Sequence, residues 1–126
     1  MQEDFKHGEI TKIIIGAAYK VYNTLGAGFL EKVYENALAF ELRRSGLAVA
    51  QQQPVSVYYE GEKVGDYLAD IVVAGRVVVE VKAVASIEKA HEVQLVNYLK
   101  ATGIEVGVLM NFGPEIQIKR KVFTRR

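Results

Sequence analysis

Apolar and polar positions along the chain fall into blocks of two different periods. From about Glu9 to Leu25, residues Ile10, Ile14, Ala17, Val21 and Leu25 recur at helical spacing. Ile13, Ile15, Ala18 and Tyr22 widen that stripe, which predicts a first helix buried on two sides, inside the fold or against another subunit. Gly26-Ala27-Gly28 ends it. A second helix is expected from about Phe29 to Ser45, with Leu30, Val33, Tyr34, Ala37, Leu38 and Leu42 as its apolar face and Gly46 as its stop. Glu31 and Glu35 sit at the border of that face and read as solvated helix-edge charges, Glu31 also suiting the helix dipole. Glu41 lies in the stripe and is expected to pair with Arg44 or sit at the rim.

The pattern then changes to that of strands. Leu47–Ala50 and Pro54–Glu60 look extended on either side of Gln51-Gln52-Gln53, and Glu60-Gly61-Glu62-Lys63 reads as a hairpin turn. Val64–Val73 and Arg76–Val84 are rich in β-branched residues and flank a tight turn at Ala74-Gly75-Arg76. Ser86 is placed to cap a third helix, Ile87–Ala101, ended by Thr102-Gly103. Glu105–Asn111 is a further apolar strand, and Glu115–Val122 a last extended edge piece after Gly113-Pro114. The order helix, helix, strand, strand, strand, helix, strand predicts an α/β fold with a small mixed central sheet flanked by helices, in one domain spanning residues 1–126. The strand ending at Val84 is apolar on both faces apart from Glu80 and Lys82, so it should be central.

Composition narrows the function. Half of the 126 residues are hydrophobic, and there are no cysteines, which removes disulfides and thiolate chemistry and suits a reducing cytoplasm. The polar start Met1–His7 lacks a signal core, and no apolar run is long enough to span a membrane, so a cytoplasmic protein without a membrane partner is expected. The formal charge is +1, but the positive charge is concentrated in Lys119, Arg120, Lys121, Arg125 and Arg126, read as a solvated end. The body therefore offers no broad basic face.

Three charges interrupt the apolar hairpin. Alternation puts Glu80 and Lys82 on one face with Val78, and Asp70 on one face with Leu68 and Val72. If the turn brings those faces together, two carboxylates and an ammonium meet in an apolar setting, where charges need partners or a metal. Two carboxylates suit a hard cation such as Mg²⁺ or Mn²⁺. A lysine beside them can orient or deprotonate a water, or stabilise developing charge. This is the equipment of metal-dependent phosphodiester hydrolysis, while an ordinary Glu-Lys pair on a solvated strand face is the bland alternative. On the third helix Gln94 falls mid-stripe and is expected to line the site, whereas His91 and Tyr98 are expected to be core residues with polar tips.

Several motifs in order resemble the GxxExxY family, a branch of the PD-(D/E)XK nuclease-like superfamily. They are Gly28-Phe29-Leu30-Glu31-Lys32-Val33-Tyr34, Val79-Glu80-Val81-Lys82, His91-Glu92-Val93-Gln94 with Asn97-Tyr98-Leu99, and Met110-Asn111-Phe112. The resemblance implies a four-stranded core flanked by helices, as in restriction endonucleases and junction resolvases. It implies Asp70, Glu80 and Lys82 as catalytic residues, Gln94 as an addition to the site, and Asp70, Glu80, Glu31 and the Val81 carbonyl as metal ligands. Where the family carries an arginine ahead of the aspartate, this chain reads Asp66-Tyr67-Leu68-Ala69. The implied activity is a Mg²⁺-dependent nuclease acting on nucleic acid, DNA rather than RNA. A catalytically silent binding module of the same fold, or a homodimer built through the first helix, is kept beside it.

Overall fold

The structure is a computed structural model, and it describes residues 7–124. Met1–Lys6 and Arg125–Arg126, with the readings made on them, lie outside the described residues. Helices α1 (Gly8–Leu25) and α2 (Glu31–Arg44) are followed by strands β1 (Val49–Tyr59), β2 (Glu62–Val73) and β3 (Val77–Lys82), helix α3 (Lys89–Thr102), and strands β4 (Val106–Phe112) and β5 (Ile116–Val122). The strands form one sheet in the order β1-β2-β3-β4-β5. Only β3 and β4 are parallel, and α3 is their crossover. β3 is central and β5 is an edge strand, as the apolar pattern predicts.

Alternation along β3 and β4 divides the core between two faces. Val77, Val79, Val81, Val106, Val108, Met110 and Phe112 pack beneath α1 and α2, with Ile14, Ala18, Tyr34, Leu38 and Leu42. Val78 and Leu109 pack beneath α3, with Leu95, Tyr98 and Leu99. Both hairpin turns have two residues at positive φ, Glu60-Gly61 and Ala74-Gly75, the turn whose twist matches that of paired strands.

The details differ from expectation in several places. The Gln51–Gln53 run does not separate two pieces but lies inside β1, with Gln52 at φ 52°. The sheet has five strands rather than four, because β1 pairs along the whole length of β2. α3 starts later than Ser86 suggested: Glu88 is its N-cap, and the Glu88 N–H donates to His91 Nδ1 at 3.0 Å. Within the single chain α1 is buried on one side, with Ile13 and Tyr19 exposed, so a second covered side would have to come from another subunit. The basic stretch at Lys119–Lys121 is not a free end but part of β5, where Lys119 and Lys121 pair with Glu92. Glu41 takes Arg44 and Lys20 as partners, at 3.0 and 3.2 Å.

Candidate active site

The pleat of the sheet breaks at one level. In a regular strand Ala69 and Ile71 would share a face, as would Val49 and Val55. Here Ile71 and Val49 belong to the α1/α2 core, while Ala69 and Val55 belong to the α3 core. The change of face in both strands falls at Gln52 and Asp70, which stand opposite each other between the Gln51–Ile71 and Gln53–Ala69 pairs. Gln52 absorbs it with a left-handed backbone, uncommon outside glycine.

On its other side β2 parts from β3 at the same level. Backbone pairing runs from Val73–Val77 to Ile71–Val79 and stops. Side chains take over the next two bonds. The Asp70 N–H donates to Glu80 Oε2 at 2.9 Å, and the Val81 N–H donates to Asp70 Oδ2 at 2.8 Å. Each carboxylate thus reaches the backbone of the other strand, so the pair is interlocked rather than merely adjacent. Glu80 is only 4% exposed and Asp70 is half-buried.

Burial pushes the Glu80 carboxyl up to about 8, the charge of Asp70 adding to the effect and the Asp70 N–H and Lys82 opposing it. The Asp70 carboxyl is also raised, first by burial and then by Glu35, against the Val81 N–H, Gln52 and Lys82. Lys82 makes no ion pair or hydrogen bond among the described residues, yet its charge acts on Asp70, Glu80 and Glu31.

Glu31 enters from the first turn of α2. Tyr34 fixes that turn: its hydroxyl donates to Gly26 O at 2.6 Å and accepts the Phe29 N–H at 3.2 Å, and its ring stacks on Phe112 at 4.6 Å. Gly28, at φ 110°, lets the chain turn into the helix. The Gly28–Glu31–Tyr34 spacing therefore has a physical meaning: a turn, a presented carboxylate and an anchor. The Glu31 carboxyl is raised by partial desolvation and by Asp70 and Glu35, while Lys82 and the Ala83 backbone N–H lower it. The segment after β3 is held by buried Asn111, which accepts the Val84 N–H at 2.8 Å and donates to Val84 O at 2.9 Å. Gly113 permits this approach, since a Cβ there would run into Val84 O.

Glu35 is the residue that periodicity misplaced. It is buried at 3% exposure rather than solvated. Lys32 and the amides of Gln51 and Gln52 donate to it at 2.9–3.0 Å, and the Gln52 amide also reaches Asp70 Oδ1 at 3.5 Å. A buried carboxylate, a glutamine in a strained conformation and Asp70 thus form one polar chain behind the acidic pair. The sequence signal for it is that Glu35, Leu38 and Leu42 follow i, i+3, i+7 spacing on α2.

α3 closes the other side. The Tyr98 hydroxyl is raised by burial first, then by the charges of Glu80, Asp70 and Tyr67. Gln94 is half-buried and lines a groove beside Tyr98, with no hydrogen bond to the acids. His91 belongs to the helix cap.

Among the described residues no group of three or more His, Asp or Glu gathers closely enough to hold an ion, so Glu31 does not complete a three-carboxylate cluster. The pair Asp70–Glu80 still fits a hard cation on its own chemistry. Its donors are all oxygen, both carboxyls sit where burial disfavours their charge until a cation compensates it, and Glu80 Oε1 takes no hydrogen bond among the described residues. Two carboxylates with the remaining positions filled by water is a common arrangement for Mg²⁺.

A family model described as the PD-(D/E)XK nuclease superfamily matches residues 8–123. The chain belongs to this superfamily. Nucleases of the PD-(D/E)XK superfamily generally use divalent metal ions. Among solved structures, the crystal structure of SSO0001 is similar at TM-score 0.56 and 18% identity, over 76% of this chain and 52% of that one. This chain thus spans about half the length of SSO0001. Hjc, a Holliday junction resolvase from Archaeoglobus fulgidus, matches at TM-score 0.45 and 23% identity, over 71% of this chain and 73% of that one. No curated protein gives a significant match. The PD-(D/E)XK chain has the restriction-endonuclease-like fold, a mixed sheet flanked by helices. None of its described helices is long and apolar enough to cross a membrane.

Proposed function

We propose that the protein is a Mg²⁺- or Mn²⁺-dependent nuclease of the GxxExxY branch that hydrolyses phosphodiester bonds, in DNA rather than RNA. The observation that carries this reading is the interlocked Asp70–Glu80 pair with Lys82 beside it, in a chain of a nuclease superfamily. Asp70 and Glu80 would hold the cation, with the Val81 carbonyl next in line and Glu31 acting from the rim. A divalent cation so held polarises a phosphate oxygen and makes an adjacent water more acidic.

The chain's own groups supply the rest. Their backbone bonds fix the carboxylates before any ligand arrives, so little ordering remains at binding. Lys82, half-buried and without an ion pair among the described residues, can orient the attacking water or meet the charge that develops on the phosphate. Gln94 stands where its amide can position substrate. Gln52 and Glu35 hold Asp70 from behind.

A second reading, a metal-free binding module of the same fold, is favoured by the lack, among the described residues, of a group of three or more His, Asp or Glu that could hold an ion. The two separate on one experiment. The full chain is incubated with Mg²⁺ or Mn²⁺ and single-stranded, duplex and branched substrates, beside Glu80→Ala and Lys82→Ala. Metal-dependent cleavage is expected, lost in Glu80→Ala and reduced about 10²–10⁴-fold in Lys82→Ala. Cleavage that persists in both variants, or none by the wild type on any substrate, overturns the reading.

A further inference from the structure

A groove of about 1000 Å³ runs between α3 and the outer half of the β1–β2 hairpin. Tyr58 and Tyr67 line it and remain 63% and 50% exposed. Its inner end is Tyr98, whose ring lies 5.9 Å from that of Tyr67 and whose hydroxyl feels the charges of Glu80 and Asp70. Tyr98 thus belongs to the groove's lining and lies within electrostatic reach of the acidic pair, which is not itself part of that lining. Gly65 forms part of its floor: a Cβ there would already touch the Tyr67 ring at 3.4 Å, so the ring lies over bare backbone. Gln94 and Asn97 bring amides to the wall, and Lys89 and Lys100 bring positive charge, the Lys100 ammonium lying 5.6 Å from the centre of the Phe123 ring.

We propose that this groove takes an unpaired nucleic-acid strand, stacking bases on Tyr67 and Tyr58 and leading the adjoining phosphate to Asp70 and Glu80. The inference rests on the nuclease reading and deepens it by naming the substrate class, single-stranded or locally unpaired nucleic acid. Three features favour a strand with exposed bases over a continuous duplex. Exposed aromatic rings bind any base by its face, whereas a stacked duplex presents none. Amides at the wall match the hydrogen-bonding edges of unpaired bases. Duplex binding draws on many basic contacts, and a chain of net charge +1 whose β5 lysines are paired with Glu92 supplies few.

The test is fluorescence anisotropy of the full chain in EDTA, with a labelled oligothymidylate and a duplex of equal length. The single strand should bind more tightly. Tyr67→Ala and Tyr58→Ala should each weaken it by about fivefold to a hundredfold, the range of one lost base stack, with unchanged melting temperature. Tyr67→Phe should restore most of the binding. Tyr58 is exposed enough that its variant folds even if Tyr67→Ala does not. Unchanged affinity in the tyrosine variants overturns the groove proposal. So does a dimer, seen by sedimentation equilibrium, that these variants dissociate, because a second copy of the chain then covers the groove. Metal-dependent cleavage that survives either result leaves the nuclease reading standing, whereas strand binding that needs the tyrosines without any cleavage keeps the groove and removes the catalysis.

Discussion

The two ends of the β2–β3 hairpin lie one residue apart and do opposite things. At the turn end, Ile71, Val72 and Val73 face Val79, Val78 and Val77 in a ladder of backbone bonds, buried on both faces. One residue further, the ladder stops and two carboxylates complete it through side chains. The turn end pairs backbone with backbone and presents only apolar side chains. The open end leaves two acids held in place, each with one oxygen tied to the backbone, in a setting that disfavours their charge. The acidic pair sits where regular pairing gives out, and the apolar end fixes that place.

Ile71 joins the two ends, and cutting it back tests the dependence most severely. It is fully buried next to Asp70, so Ile71→Ala should cost about 2–5 kcal/mol in denaturant unfolding. The loss of cleavage per folded molecule should be small. A large loss in fully folded protein would show that the turn end does more than support.

The open end should be unfavourable for stability in metal-free protein. The Glu80 carboxyl is raised above its ordinary value of 4.5 to about 8, so the folded state holds more protons than the unfolded chain between those values. Stability should therefore fall as pH rises from about 4.5 to about 8 and level off above, with Asp70 and Glu31, also raised, pulling the same way. Glu80→Gln keeps an oxygen for the Asp70 N–H and removes the charge. Thermal melts at pH 8 should show it more stable than wild type, by no more than a few kcal/mol, and with a flatter pH profile. A steeper profile in the variant would contradict this origin of the cost.

The smallest effect belongs to the turn. Ala74 has φ 54°, where a Cβ is unfavourable. Ala74→Gly should stabilise by up to about 1 kcal/mol in chemical denaturation and leave cleavage untouched.

The hairpin and the centrality of β3 were legible because β-branched residues mark strands locally and Gly75 marks the turn. Glu80 and Lys82 stood out as charges in an apolar strand. The support behind Asp70 was not legible in the same way. Gln51 and Gln52 carry no local strand signal, and the left-handed Gln52 appears only once two strands change face together. Glu35 looks like a helix-edge charge until its partners sixteen and seventeen residues away are seen to fold onto it. Glu88 was passed over as a cap because Ser86 is the better N-cap residue type, yet the His91 ring selects Glu88. Local pattern finds elements and out-of-place charges, whereas partners that satisfy a buried acid are set by the tertiary fold.

Calorimetric titration of Mn²⁺ into the wild type, Asp70→Asn and Glu80→Gln tests the central claim most directly. Binding to the wild type that releases protons at pH 7, and that either substitution abolishes, is the predicted result. Equal binding in all three proteins, or none in the wild type, would contradict the account.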